Sequence, residues 1–305
     1  MKEKINAWLA LSRLPFHLVG ILPFLLGAIL AWQFLGFFRW DIFLWGIAGV
    51  VLIMLATYYA GEYWDYEGDI LAAQKGPSRF AGGSQVLQRG LIKRRTALYA
   101  SLVCVLLAAI IGILLQFLYL TGPLTVFLGV IGIIGGFFYS AKPIRWVSRG
   151  LGEIWIAFNY GWLTIAASFY LQVGYFISLI HFMALPVAFT IFNVILLNEF
   201  PDFEADRDTG KKNLVVRLGL NRAMILYSLA AIASWFTMAT TLTLGFLWPW
   251  SLVCYLPVLA ISVGLVILML RGAWINRSTL EKLCDLNIIV NLGTTLVFIV
   301  AVLVL

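Results

Sequence analysis

The sequence predicts an all-α membrane protein, with nine transmembrane helices in a single bundle and a polar cytoplasmic cap. The chain has 305 residues, of which 62% are hydrophobic and only 11% are charged, against about 25% charged residues in soluble domains. Its apolar residues form long runs without charge, and its positive charges concentrate between the runs on one predicted side. This composition excludes a soluble enzyme and a disordered chain, and despite the net charge of +7 it argues against a nucleic-acid partner.

Six runs without Asp, Glu, Lys or Arg account for the predicted helices. They cover residues 14–38, 42–61, 96–141, 154–198, 223–270 and 286–305. A transmembrane helix needs about 20 apolar residues, so the three short runs hold one helix each and the three long runs hold two. Each long run has a helix-breaking segment near its middle, at Thr121–Pro123, Gln172–Gly174 and Gly245–Pro249. The total is nine helices.

The distribution of charge predicts the orientation. When successive loops are assigned to alternate sides, one side holds 20 of the 21 Lys and Arg residues and the other holds only Arg39. Positively charged loops stay in the cytoplasm, so we expect a cytoplasmic N-terminus and an external C-terminus. All acidic residues except Asp41 fall on the cytoplasmic side. We therefore expect one polytopic domain over residues 1–305, with its chemistry at the cytoplasmic end.

Two pairs of aspartates carry the strongest functional signal. Asp65 and Asp69 follow the second predicted helix, and Asp202 and Asp206 follow the sixth. A spacing of four residues places both carboxylates of a pair on one helix face, where they repel each other unless a cation lies between them. Mg²⁺ prefers carboxylate and phosphate oxygens, so the pairs predict a magnesium site for a diphosphate. The alternative is that both pairs are merely solvated helix ends.

Basic residues near the two pairs are candidate partners for the anion. Arg79 lies in a glycine-rich segment after the first pair, and Lys211 follows the second. Lys142 and Arg145 follow the fourth predicted helix. Arginine can bind phosphate through two parallel hydrogen bonds. Basic residues beside a membrane also act as orientation signals and as partners of lipid headgroups, which is the alternative for each of them.

These motifs, together with the predicted topology, resemble the UbiA superfamily of intramembrane prenyltransferases. The segment 198–219 is similar to that family's second aspartate motif and is most similar to the branch that prenylates 1,4-dihydroxy-2-naphthoate for menaquinone. Tyr139 with Pro143, and the Gly-Leu-Gly-Glu sequence that ends at Glu153, also match that branch. The resemblance covers essentially the whole chain.

The resemblance implies Mg²⁺-dependent transfer of a polyprenyl group from a polyprenyl diphosphate to a lipid-soluble aromatic acceptor. It implies a set of metal-binding aspartates, two supporting residues and four basic residues that neutralise the diphosphate. These are, in that order, Asp65, Asp69, Asp202 and Asp206; Glu62 and Asn198; and Arg79, Lys142, Arg145 and Lys211. Tyr139 would face the allylic cation or the acceptor, or would simply be an interfacial tyrosine at a helix end.

One position departs from the family pattern. The family's first motif usually begins with Asn four residues before its first Asp, and here Gly61 holds that position, followed by Glu62. The acceptor alternatives therefore stay open: 4-hydroxybenzoate, homogentisate, a chlorophyllide-type ring or a glyceryl phosphate lipid. A cation-coupled transporter is the alternative from another class. Transporters place ionisable residues near the middle of the membrane, whereas the predicted spans here carry none.

Overall fold

The computed structural model describes residues 2–76, 78–80, 82–243 and 250–304, and over these residues the regular structure is helical. The helices are α1 (Lys2–Leu11), α2 (Leu18–Leu35), α3 (Trp40–Trp64), α4 (Tyr66–Lys75), α5 (Arg94–Phe117), α6 (Thr125–Phe137), α7 (Gly152–Ala157), α8 (Thr164–Val173), α9 (Ser178–Asn198), α10 (Phe203–Asp208), α11 (Leu214–Leu218), α12 (Leu220–Thr243), α13 (Ser251–Leu270) and α14 (Arg277–Leu303). A π-helical turn, Phe158–Leu163, joins α7 to α8.

Eight helical segments among the described residues are long and apolar enough to cross a membrane. They are Lys2–Leu35, α3, α5, Gly152–Val173, α9, α12, α13 and α14. The fourth predicted helix is the exception, because its counterpart α6 has only 13 residues. At 1.5 Å per residue α6 is about 20 Å long, less than the roughly 30 Å of a bilayer's apolar core.

The helix breaks lie where the sequence predicts them, as far as the structure describes the chain. α5 and α6 flank the predicted break at Thr121–Pro123, and α8 ends at Val173. Gly174 caps α8 in the left-handed conformation with a φ of 86°, which favours glycine. The third predicted break, Gly245–Pro249, lies outside the described residues.

The apolar residues pack in the centre of the bundle and also cover its outside. The largest buried cluster joins α2, α8, α9 and α14 around side chains such as Phe169 and Phe298, which are fully buried. α5 packs against α3, while its other face leaves Leu106 and Ile113 exposed. An outer surface of large apolar side chains suits a lipid environment. The chain is an integral, multi-pass membrane protein.

One end of the bundle carries the short polar helices. α4 follows α3 after one residue, α10 follows α9, and these two short helices pack against each other. The Lys75 ammonium group binds the Asp208 carboxylate between them. Asn213 begins α11 by accepting a hydrogen bond from the Val216 amide. The two aspartate motifs therefore meet at the same end of the bundle.

Candidate active site

A cavity of about 630 Å³ opens at this polar end. All four predicted aspartates line it, together with Asn198, Tyr139 and Lys211. Its volume lies within the range of about 300–1,000 Å³ that is typical of ligand sites. Its deeper walls are apolar and include Ile191 and Val194 of α9. We call it the aspartate cavity.

Asp65 is the single residue between α3 and α4. Its carboxylate accepts hydrogen bonds from the Ser140 hydroxyl at 2.7 Å and from the Arg145 guanidinium at 3.0 Å. Both partners belong to the segment that follows α6, so this carboxylate ties the first aspartate motif to that segment. Arg145 was predicted to bind diphosphate, and in the structure it reaches the site through Asp65.

A glycine-rich loop connects the two aspartate motifs. The Gly82 amide donates a hydrogen bond to Asp202 Oδ1 at 3.1 Å. The next residue, Gly83, adopts a φ of +64°, and a Cβ atom there would lie 2.3 Å from Asp69 Oδ2. Only glycine permits both this backbone conformation and this close approach. The loop therefore hydrogen-bonds the Asp202 carboxylate and lies directly against the Asp69 carboxylate.

Glu62 anchors the same loop from behind. Its side chain is fully buried and pairs with the Arg13 guanidinium at 3.0 Å. The Ser84 amide and hydroxyl each donate a hydrogen bond to it at 2.8 Å. Both carboxylate oxygens are thus occupied by protein groups. In the structure Glu62 fixes the loop and Arg13, and its support of the metal shell stays a prediction.

The second motif pairs with a buried lysine. Asp206 contacts the Lys211 ammonium at 3.2 Å and accepts a hydrogen bond from the Asn213 amide at 2.8 Å. Burial alone would lower the pKa of Lys211, but Asp206 and Asp65 raise it well above its ordinary value. Lys211 therefore stays charged inside the cavity, where it can meet an anion.

The carboxylates of the cavity carry more negative charge than the positively charged side chains around them neutralise. Burial, and then the Asp206 carboxylate, raise the pKa of Asp202 to about 7. Burial, followed by Asp65 and Glu62, raises the pKa of Asp69 well above its ordinary value. Raised values of this kind mark carboxyl groups whose ionised form lacks solvent or a cation. A bound divalent cation would supply the missing charge.

The donor set suits Mg²⁺ held partly by a ligand. Among the described residues, no three Asp, Glu, His or Cys side chains converge closely enough to enclose a metal ion by themselves. Mg²⁺ commonly takes only one or two carboxylates and completes its shell with water and phosphate oxygens. The Asn198 side-chain oxygen lines this space and is buried without a hydrogen-bond partner among the described residues. The aspartates and Asn198 thus fit a metal shared with a diphosphate.

Two predicted diphosphate partners lie further out. Arg79 is at the rim, where its exposed side chain contacts the Asp285 carboxylate of α14 at 2.5 Å. Lys142 is exposed and is not among the described residues that line the cavity. The positions of both side chains depend on how their loops pack against the rest of the protein. The local sequence does not encode that packing.

Two buried acids beside the site were not predicted as site residues, although the sequence match already included Glu153. Glu199 lines the cavity, and burial followed by the nearby Glu153 carboxyl raises its pKa well above the ordinary value. Glu153 is fully buried and accepts a hydrogen bond from the Leu214 amide at 2.6 Å. The signal for Glu199 was present, because it directly follows Asn198 just as Glu62 directly follows Gly61.

Tyr139 lies inside the cavity rather than at an interface with lipid. Its ring packs so closely on Gly152 that a Cβ atom there would lie 2.9 Å from Tyr139 Cε2. Burial, and then Glu199 and Glu153, raise the pKa of its hydroxyl well above the ordinary value. Tyr139 is therefore a neutral phenol that faces the space between the two aspartate motifs.

Comparison with solved structures identifies the same architecture. A digeranylgeranylglyceryl phosphate synthase superposes with a TM-score of 0.67 at 18% identity, over 99% of this chain and 100% of that one. A UbiA homologue from Archaeoglobus fulgidus, solved with DMAPP and Mg²⁺, gives a TM-score of 0.56 at 16% identity, over 95% and 98% of the two chains. At these identities the likeness concerns the fold.

Sequence comparison identifies the family. A 1,4-dihydroxy-2-naphthoate octaprenyltransferase from Escherichia coli is 26% identical over 84% of this chain and 83% of its own. A protein of the same name from Bacillus subtilis is 24% identical over 78% and 74%. Residues 21–287 match the sequence model of the UbiA prenyltransferase family, which sets aside the transporter alternative. The chain belongs to the UbiA prenyltransferase family and is a membrane prenyltransferase.

Proposed function

We propose that this enzyme transfers the polyprenyl group of a polyprenyl diphosphate to 1,4-dihydroxy-2-naphthoate, with Mg²⁺ as its cofactor. The observation that carries the proposal is the aspartate cavity, where two carboxylate pairs and the buried Lys211 share one space at the end of an apolar bundle. The relatives named for naphthoate prenylation support the acceptor, since they match most of this chain.

The leaving diphosphate would bind between the two aspartate motifs. Asp65, Asp69, Asp202 and Asp206 would hold Mg²⁺, which supplies positive charge to the diphosphate oxygens as the carbon–oxygen bond breaks. Lys211 adds a fixed positive charge from the protein. The electron pair of the broken bond leaves with the diphosphate, while C1 of the prenyl group bonds to the ring carbon of the acceptor that carries the carboxylate. The carboxylate then leaves as CO₂ and returns its bonding electron pair to the ring.

The reacting carbon needs a space that excludes water. The apolar residues Ile156, Ile191 and Val194 line the cavity on its bundle side, so an allylic cation formed there is shielded from hydrolysis. The Tyr139 ring faces the same space and stabilises a nearby cation by cation–π attraction, worth about 2 kcal/mol when desolvated. An apolar donor and acceptor can both arrive through the bilayer.

We infer a cytoplasmic site, with the N-terminus cytoplasmic and the C-terminus external. The positive-inside bias supports this orientation, because 20 of 21 basic residues lie on the predicted cytoplasmic side. Nine crossings require α6 to cross together with residues of its flanking loops. Membrane lipids would then contact the apolar outer faces of helices such as α5.

The proposal is tested by a transfer assay with purified protein in liposomes. Geranylgeranyl diphosphate and Mg²⁺ are supplied with each acceptor in turn: dihydroxynaphthoate, 4-hydroxybenzoate, homogentisate, a chlorophyllide and glyceryl phosphate. We expect a prenylated naphthoate product that has lost CO₂, identified by mass spectrometry, and no product in EDTA until Mg²⁺ is restored. Transfer to another acceptor alone would overturn the naphthoate assignment, and full activity in EDTA would overturn the metal assignment.

A further inference from the structure

Four basic side chains form a cluster on the surface at the polar end of the bundle. Lys142 and Arg149 belong to the segment between α6 and α7, and Lys212 and Arg217 belong to the segment that contains α11. All four side chains are exposed, and none of them is among the described residues that line the aspartate cavity. We call these four residues the basic cluster.

Direct contacts bring the two segments together. The Arg149 guanidinium donates a hydrogen bond at 3.2 Å to the Pro143 carbonyl, next in the chain to the lysine of the same segment. Gly150 lies so close to Arg217 that a Cβ atom on the glycine would be 2.7 Å from the arginine Cδ atom. Arg217 Nε in turn donates a hydrogen bond to the Lys212 carbonyl at 2.7 Å. The basic cluster is therefore one surface, built from two parts of the chain that are far apart in sequence.

Within the described part of the chain, the basic cluster has no acidic partner. Other cations at this end of the bundle are paired, such as Arg145 with Asp65 and Lys211 with Asp206. None of the ion pairs between described residues involves a side chain of the cluster. The hydrogen bonds of its two arginines to described residues all go to backbone carbonyls. Four positive charges are thus left for a partner outside this chain.

The basic cluster lies where the chain enters the membrane. Its first segment leads into Gly152–Val173 and its second leads into α12, both of which are long and apolar enough to span a bilayer. Leu151 and Ile154, which follow the first segment directly, are large apolar side chains that remain exposed. Exposed positive charges next to exposed apolar side chains match the two parts of a membrane lipid, its anionic headgroup and its acyl chains. A soluble anion would not need the apolar side chains.

We propose that the basic cluster binds the phosphate headgroup of an anionic membrane lipid, such as phosphatidylglycerol, whose acyl chains cover Leu151 and Ile154. Arginine binds phosphate oxygens through two parallel N–H groups. One phosphate held by Arg149 and Arg217 ties the two segments together. Lys142 then serves as a headgroup partner, and the binding does not depend on which acceptor the enzyme uses.

The same two segments hold the aspartate motifs in place. The segment between α6 and α7 contacts Asp65 through the Arg145 guanidinium. The segment before α11 contacts Asp206 through Lys211 and Asn213. A lipid that bridges the two segments therefore restrains groups that position both motifs, because a ligand of the folded state stabilises the contacts it needs. We expect such a lipid to raise activity without touching the substrates.

Native mass spectrometry of the purified protein measures the binding directly. The protein in detergent is offered equal amounts of phosphatidylglycerol and phosphatidylcholine. We expect the wild type to retain phosphatidylglycerol preferentially, and Arg149→Gln with Arg217→Gln to reduce this preference at least about tenfold. The control, Arg95→Gln with Arg271→Gln, removes the same charge from exposed residues at the start of α5 and just after α13. It should keep the preference.

Equal retention of both lipids by the wild type, or equal loss in the cluster and control variants, would overturn the inference. A measurement on the wild type alone covers the case in which the cluster variant does not fold. Phosphatidylglycerol with a diazirine in its headgroup should label residues 142–151 or 212–217, and labelling confined to other segments would contradict the assignment. Excess inorganic phosphate should leave the labelling unchanged. Displacement by phosphate would indicate a site for a free anion rather than for a lipid.

Activity in liposomes tests the link to the aspartate motifs. We expect the wild-type kcat/KM to be at least about threefold higher in phosphatidylcholine liposomes that contain phosphatidylglycerol than in phosphatidylcholine alone. The cluster variant should lose this response and the control variant should keep it. The donor is itself an anion, but the charge of the liposome affects its access equally for both variants. A cluster variant that responds as the control does would contradict the link.

Discussion

At the residue scale, the site is an arrangement of buried and half-buried acids, several of them held by a specific group. Asp65 is fixed by Ser140 and Arg145, and Asp202 by the Gly82 amide. Buried carboxylates without enough counter-charge are costly. Such an arrangement is retained where a ligand brings the missing charge, which makes these side chains the most direct points of test.

Replacing Asp202 by asparagine removes one negative charge and keeps the side-chain size. We expect Asp202→Asn to lower kcat/KM by at least about 100-fold, since each 1.4 kcal/mol of lost transition-state stabilisation is tenfold. The matched control is Asp41→Asn, an exposed acid at the start of α3, which should retain full activity. Transfer at the wild-type rate by Asp202→Asn, measured with the same assay, would remove Asp202 from the metal site.

Gly61 occupies the position where the family usually has asparagine, and the space next to it is open to a side chain. A Cβ atom at Gly61 would meet only the Ser140 hydroxyl, at 3.7 Å. We expect Gly61→Asn to keep activity within about threefold, as for substitutions that meet no clash. The same change at Gly83 should abolish activity, because its Cβ atom would lie 2.3 Å from Asp69 Oδ2. Equal effects at both positions would contradict this account of the loop.

The residues that the sequence identifies are those whose geometry is local. The i, i+4 spacing of Asp65 with Asp69, and of Asp202 with Asp206, keeps each pair within one helical turn, because the second amide of each pair donates to the carbonyl oxygen of the first. The pairing of Arg13 with Glu62 joins residues far apart in sequence. No periodic pattern encodes such a contact, so the role of Arg13 emerges only from the structure.

At the element scale, hydropathy predicts the long helices well and the short one poorly. The breaks at Thr121–Pro123 and at Gln172–Gly174 are confirmed because glycine and proline set them locally. The length of α6 is not local information, since the preceding helix α5 continues to Phe117 and the following loop takes residues 118–124. The π-helical turn also has no sequence signature here, although it places Tyr160 in the wall of the aspartate cavity.

Because α6 is short, the number of membrane crossings depends on whether this helix spans the bilayer, and that can be tested. Nine crossings place the two termini on opposite sides of the membrane. We expect a reporter active only outside the cytoplasm to be active when fused after Leu305 and inactive when fused within residues 206–212. Topology mapping with such fusions decides the count. Inactivity of the C-terminal fusion, with the fused protein intact in the membrane, would indicate eight crossings and an α6 that does not span.

At the scale of the whole molecule, a polar site is placed on a bundle that is apolar inside and outside. The aspartate cavity has the proposed role of binding the charged end of the donor, and apolar residues such as Ile191 and Val194 line it. Composition and charge distribution already predict this division, because the acids lie at one end of the helices. The way the motifs meet around the 82–84 loop requires the folded chain.

The most direct test of the central claim is binding of an unreactive donor. Isothermal titration with geranylgeranyl S-thiolodiphosphate, which keeps the two phosphate groups but resists cleavage, measures affinity with Mg²⁺ and with EDTA. We predict binding in Mg²⁺ that is weakened at least about 100-fold by EDTA and likewise by Asp65→Asn with Asp202→Asn, since metal and carboxylates act as one unit. Equal affinity in Mg²⁺ and EDTA, unaffected by the double substitution, would contradict the proposal that the two aspartate motifs bind a diphosphate through a metal.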